Sequence, residues 1–219
     1  MTFKVKGTCV PVEFLVLGML ENNVYIISDG TATMVVDPTC KADKIIEALS
    51  GRKLDAIILT HRHSDHVGGA KELADKTGAC VIASAIDAPM ICGDEKLPRD
   101  DTRFSPCPVD RTLVDGEMLK MGTMTWKTIV TPGHTKGSMC LFLDPERTEN
   151  PVGAPVLVSG DTLFCGSIGR TDFAGGDMND MRRSLKRLAS LPDDTVVLPG
   201  HNSQTTIGAE RRRVFAYYA

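Results

Sequence analysis

The sequence predicts an α/β chain folded as a four-layer αββα sandwich. Three observations lead there. Short β-branched runs alternate with amphipathic segments in the order strands, helix, strand, helix, and that order occurs twice along the chain. The run Leu54–Thr60 is almost continuously apolar, as suits a strand buried on both faces. The 219 residues are enough to bury a core without cross-links. Periodicity alone also fits a doubly wound sheet. Helices covering the outer faces of two stacked sheets account for the doubled order.

The elements follow from local signals. Val12–Gly18, Val24–Ser28 and Ala32–Asp37 read as antiparallel strands, with Asn22-Asn23 and Asp29-Gly30 as turn residues. Lys41–Leu49 carries Ala42, Ile45, Ile46 and Leu49 on a helical period. After Leu54–Thr60, the residues Val67, Ala70, Leu73 and Ala74 mark a second helix that ends near Gly78, and Ala79–Ser84 is again a strand. In the second half, Leu113–Met121, Met124–Val130, Met139–Asp144, Pro155–Ser159 and Thr195–Leu198 read as strands. Asp177 caps a helix that turns Met178, Met181, Leu185 and Leu188 inward. A last helix covers roughly Ile207–Phe215. Gly93–Pro108 is polar and proline-bearing, and reads as a long loop bordering a site.

Composition narrows the function. Hydrophobic residues make up 42% and charged residues 24%, which is globular rather than disordered. Lys plus Arg number 25 against 28 Asp plus Glu, a net charge of −3, so no broad basic surface for nucleic acid is expected. The run Arg211-Arg212-Arg213 reads as a solvated helix face. The longest stretch free of charged and polar residues, Phe14–Leu20, is too short for a membrane span. Lys4 and Lys6 are followed by Pro11 and Glu13 where a signal peptide needs apolar residues, so a cytoplasmic location is expected. The seven cysteines are widely spaced, without Cys-x-x-Cys, and read as small apolar residues rather than a disulfide or zinc framework.

Histidine is the informative residue. The five are His61, His63, His66, His134 and His201, and each directly follows an expected strand. In the extended segment Thr60-His61-Arg62-His63, alternate side chains share a side, so His61 and His63 can reach one ion. As the chain turns into a helix, Asp65 and His66 point elsewhere and can serve a second ion. Imidazole with carboxylate suits a borderline cation such as zinc or ferrous iron better than magnesium or calcium. Gly68-Gly69 allow the helix start to pack closely on the neighbouring loop.

Thr60-His61-Arg62-His63-Ser64-Asp65-His66-Val67-Gly68-Gly69 resembles the signature of the metallo-β-lactamase fold superfamily. Thr131-Pro132-Gly133-His134-Thr135, Ser159-Gly160-Asp161-Thr162 and Pro199-Gly200-His201 match its later motifs in order. Within it the chain most resembles glyoxalase II-like thioester hydrolases. Gly160–Phe164 and Gly169-Arg170-Thr171-Asp172 are similar to that branch and to related persulfide dioxygenases.

The resemblance implies two divalent ions, zinc first and iron or manganese as alternatives. His61, His63 and His134 would hold one, Asp65, His66 and His201 the other, and Asp161 would bridge them. It implies attack of a bridging hydroxide on a small-molecule thioester of the hydroxyacylglutathione type, with Asp65 also relaying a proton. Asp37 is a candidate for orienting a histidine ligand, or equally a turn former. Arg170 is a candidate for a substrate carboxylate, or equally for a turn pair with Asp172.

The resemblance is to short members, with a single domain expected over residues 1–219. The C-terminal helical glutathione-binding region of full-length glyoxalase II is not expected, and Asn202-Ser203-Gln204 stand directly after His201 where that family has an aromatic. The nearest alternative is a mononuclear iron persulfide dioxygenase, with iron on His61, His134 and Asp161. A lactonase and a non-catalytic metal-binding protein stand further off.

Overall fold

The computed structural model describes residues 1–99 and 101–219, so Asp100, inside the expected Gly93–Pro108 loop, lies outside the described residues. The first sheet runs in chain order: β1 (Phe3–Val5), β2 (Val12–Leu17), β3 (Asn22–Ser28), β4 (Thr33–Val36), β5 (Ala56–Leu59), β6 (Cys80–Ser84) and β7 (Arg111–Leu113). β1 to β4 form an antiparallel meander, and β4 to β7 are parallel. Parallel neighbours need crossovers, which here are helices: α1 (Ala42–Leu49), α2 (Ser64–Val67) with α3 (Ala70–Thr77), and α4 (Ala88–Cys92).

The second sheet uses β8 (Met118–Met121), β9 (Met124–Val130), β10 (Met139–Leu143) and β11 (Val156–Gly160). A small hairpin follows, β12 (Leu163–Phe164) and β13 (Ser167–Ile168), then α5 (Met178–Leu188), β14 (Val196–Pro199), β15 (Thr205–Thr206) and α6 (Ile207–Glu210). Its spatial order is β15-β14-β11-β10-β9-β8, with only β11 and β14 parallel.

The period-two alternation of strands builds the layers. Tyr25, Ile27, Met34, Val36 and Ile58 face inward and meet Trp126, Leu141, Val158 and Leu198 of the second sheet. Their neighbours Val24, Ile26, Val35 and Ile57 face outward onto Ile45, Leu49 and Leu73 of α1 and α3. Cys140, Phe142, Leu157 and Val197 likewise turn outward, onto Met181, Leu185 and Leu188 of α5. Both faces of each sheet are therefore dry, and the order of layers is α, β, β, α. Truncating an inner residue such as Ile58 to Ala would cost about 2–5 kcal/mol, because a core packed from both sides cannot collapse onto the gap.

Two sequence expectations are corrected. Leu113–Met121 is not one strand. The chain turns at Val114–Glu117, with Gly116 at φ 78°, and passes from the first sheet to the second. Asn22 and Asn23 are not turn residues but the start of β3; the turn lies earlier, with Gly18 and Glu21 at positive φ. The last helix is also less regular than expected, since α6 passes into a π-type turn at Arg211–Phe215.

The two halves are pinned at both ends. At one end, Asp29 in the β3–β4 turn accepts from Thr123 N (2.6 Å) and Thr123 Oγ1 (2.7 Å) of the β8–β9 turn, and from Thr31 and Ala32. These donors outweigh the effect of burial and hold its carboxyl well below the usual range. A depressed folded value means stability present above the unfolded pKa, near 3.9, and lost as pH falls through the folded value. Asp29→Ala is expected to lower unfolding free energy by about 2 kcal/mol at neutral pH. The difference from wild type should shrink in denaturant melts as the pH is lowered below about 4. At the other end the site assembles.

Candidate metal centre

Every histidine leaves the scaffold just after a strand. His61, His63 and His66 follow β5, His134 follows β9, and His201 follows β14; Asp161 follows β11. The strand ends are tied across the sandwich: Met139 N donates to Thr60 O (2.9 Å), Asn23 N to Gly200 O (2.8 Å), and Tyr25 Oη to Pro199 O (2.9 Å). A side chain on Gly200 would run into Asp161 and His66, and one on Gly69 into the Pro38 carbonyl. Close backbone approach is thus required at both positions.

All seven expected ligands come together. His61, His63 and His134 present donor atoms within 4.8 Å of one another, as do His61, His66 and Asp161, and Asp65, His66 and His201. Asp161 Oδ1 lies 3.3 Å from His66 Nε2, while Oδ2 lies 3.6 Å from His134 Nε2 and 3.5 Å from His201 Nε2. Asp65 Oδ2 lies 3.2 Å from His201 Nε2 and 3.4 Å from His66 Nε2.

The outer nitrogens decide what the inner ones can do. His134 Nδ1 donates to Arg170 O (2.7 Å) and His201 Nδ1 to Leu20 O (2.9 Å). His66 Nδ1 donates to Asp37 Oδ2 (2.9 Å). Thr60 Oγ1 gives its proton to the same oxygen (2.7 Å), so it can only accept from His61 Nδ1 (3.1 Å). In the neutral rings, Nε2 of all four is then a bare lone pair. His63 instead turns Nδ1 toward His134 Nε2, at 2.9 Å. Among the described residues, His61 Nε2, His66 Nε2 and Asp161 Oδ1 are buried without a hydrogen-bond partner. Buried lone pairs and carboxylates aimed at one another are repulsive unless protons or cations lie between them. Imidazole and carboxylate donors in this number fit a divalent transition metal.

Protonation follows the same geometry. Burial pushes His61 well below its ordinary value, and burial with the neighbouring His134 takes His63 down to about 3. Burial works against charge at His66 and His201 too. There the carboxylates prevail: Asp161 and Asp37 hold His66 well above the ordinary value, and Asp161 with Asp65 lifts His201 to about 10. Asp161 and Asp65 are held low by the same histidines against the effect of burial.

Asp37 stands where a ligand-orienting carboxylate belongs. It is 2% exposed and also accepts from Thr60 N (2.8 Å). Arg170 forms the turn pair: Nε and Nη2 donate to Asp172 at 2.9 and 2.8 Å, and its guanidinium lies 4.1 Å from the Phe173 ring centroid. Sequence reasoning missed Asn22, whose Nδ2 donates to Asp65 Oδ2 (2.9 Å), and it missed Arg62, Asp87 and Asp101 around His63. A cavity of about 530 Å³ opens over the centre, with Leu20, Phe164, Ile168 and Phe173 as apolar walls. Asp101 and Thr102 of the expected loop line it as well.

Comparison with known proteins gives the family. The family model described as the metallo-beta-lactamase superfamily matches residues 17–201. The chain belongs to the metallo-beta-lactamase superfamily. It is 32% identical over 211 residues to a hydroxyacylglutathione hydrolase of Haemophilus influenzae, covering 92% of this chain and 95% of that one. Among solved structures it is similar to BLEG-1 B3 metallo-beta-lactamase, with TM-score 0.78, 32% identity, and coverage of 93% and 98% of the two chains. It is also similar to TTHA1623 in a di-iron-bound form, with TM-score 0.75, 34% identity, and coverage of 91% and 97%. No helix of the described residues is long and apolar enough to cross a membrane.

A proton count tests the centre. Raised values at His66 and His201 mean that the metal-free protein, prepared by chelation, holds protons there at neutral pH. Metal binding must displace them. Adding metal at about pH 8 in weak buffer should release protons, and metal affinity should climb as pH rises toward about 10. A pH-stat titration checks the first and chelator competition the second.

Proposed function

We propose that this chain is a dinuclear metallo-hydrolase that cleaves small thioesters of the hydroxyacylglutathione type. The observation that carries the reading is the gathering of five imidazoles and two carboxylates into three overlapping donor groups under an open cavity. The relative in Haemophilus influenzae supports the substrate class. His61, His63 and His134 would hold one ion and Asp65, His66 and His201 the other. Asp161, with one oxygen near His66 and the other near His134, would lie between them. Zinc is the first choice. Iron and manganese accept the same donors, and the di-iron form of TTHA1623 supports iron. Bound there, the two ions would supply a Lewis acid for an acyl carbonyl and would make water acidic enough to attack at neutral pH.

The residues of the chain do the rest. Asp65 is ionised, and Asn22 fixes one face of its carboxylate. It can orient the attacking water and accept its proton, which then passes to the departing sulfur. Water adds to the acyl carbon as the C–S bond breaks, giving a carboxylic acid and a thiol. Leu20, Phe164, Ile168 and Phe173 offer apolar surface to the organic parts of the substrate. A mononuclear iron dioxygenase would use only His61, His134 and Asp161. His63, Asp65, His66 and His201 would then only surround that ion, whereas the dinuclear reading gives each of them a donor role.

Metal analysis of protein purified without chelator should give about two ions per chain, with turnover of a lactoylglutathione-type thioester. His63→Ala and Asp161→Ala should each lower kcat/KM by more than about a hundredfold, since each removes a group that places the cations. Full activity without metal, or a single iron per chain with oxygen uptake on a persulfide, would contradict the reading.

A further inference from the structure

Arg62 sits between two histidines of the centre and points away from the side they share. Such a side chain belongs in solvent, yet Arg62 is 2% exposed. Its guanidinium joins three separate segments. Nε donates to Asp101 Oδ2 (2.8 Å), Nη2 donates to Ala174 O (2.7 Å), and Nη1 lies 3.5 Å from Asp87 Oδ1. Its backbone N–H donates to Asp87 Oδ2 (3.0 Å), which also accepts from Thr135 Oγ1 (2.9 Å), next to His134. A planar fork with five N–H groups can serve acceptors in three directions; a lysine ammonium in the same place cannot match that geometry.

The second oxygen of Asp101 completes the chain of contacts. Asp101 Oδ1 lies 3.6 Å from His63 Nε2, and its side chain is 3% exposed. His63 is the one histidine of the centre that turns Nδ1 inward. Its outer nitrogen is therefore Nε2, and the group placed on that side is Asp101. A carboxylate there favours the tautomer with the proton on Nε2 and the lone pair on Nδ1, the form that can bind a cation; without a cation, the 2.9 Å contact with the bare His134 Nε2 calls instead for a proton on His63 Nδ1, which metal binding displaces. Ala174 follows Phe173, whose ring packs edge-on against His63 and His134, with centroids 5.7 and 6.2 Å away. Arg62 thus fixes one wall of the cavity through Asp101 and another through Ala174.

We propose that Asp101, held by Arg62, is the positioning residue for His63: it selects the tautomer that turns Nδ1 toward the metal and so sets cation affinity at the His61, His63 and His134 group. Asp101 is then part of the metal centre, although it is not among its ligand candidates. The inference concerns the metal centre and does not depend on which substrate is cleaved.

The test is cobalt(II) binding by the full chain, read by chelator competition and by visible absorption. Asp101→Asn keeps the size of the side chain but can turn an amide N–H toward His63, where a donor opposes the required tautomer. It is expected to weaken one cobalt ion by roughly 10–100-fold, to shift the absorption of that ion, and to leave the other ion unchanged. Asp101→Glu should recover part of the loss. Arg62→Lys should reproduce it and also speed tryptic cleavage after Arg99 or Arg103; should that variant fail to fold, Asp101→Asn decides alone. Unchanged affinity and spectrum in Asp101→Asn, or equal weakening of both ions, would overturn the inference. Wild-type protein that takes up no cobalt would overturn the metal centre together with it.

Discussion

The structure turns on the hydrogen bonds made by the outer nitrogens of its histidines. Each of His61, His66, His134 and His201 has its Nδ1 proton taken by an oxygen of the scaffold, and in the neutral rings this leaves Nε2 bare on the inner side. The acceptors come from four places in the chain: Thr60, Asp37, Arg170 and Leu20. A centre whose ligand orientation depends on four distant backbone segments needs a scaffold that holds those segments rigidly. The doubly buried sheets provide it. The core between them and the two outer cores all pack apolar side chains with almost no exposure.

Cation binding and folding are coupled in this arrangement. The inner face brings buried lone pairs and carboxylates together, which by itself opposes folding. Protons on His66 and His201 relieve part of that repulsion, and a bound cation relieves it where those protons leave. A metal present at a thousand times its dissociation constant stabilises the fold by about 4 kcal/mol, comparable to a large core residue.

The fold and the clustering of the seven side chains were legible because their signals are local or compositional. Five histidines after three apolar runs point to one edge of two sheets without any knowledge of pairing. What was illegible depends on contacts distant in sequence. Asn22 looks like a turn former until β3 is seen to begin there and bring its amide to Asp65, 43 residues on. Arg62 looks like a solvent-facing residue until the segments holding Asp87, Asp101 and Ala174 close over it. The single strand expected at Leu113–Met121 failed because apolar content there outweighed the Asp115-Gly116 turn signal. For Arg170 two readings stood level; the structure contains the pair with Asp172 and also sets Arg170 in the cavity wall.

Anomalous X-ray scattering from crystals grown without chelator, recorded on either side of the metal absorption edge, addresses the centre most directly. Two peaks are expected, one among His61, His63 and His134 and one among Asp65, His66 and His201, with the Asp161 carboxylate between them. A lone peak, or histidine rings turned away from any common point, would contradict the dinuclear centre.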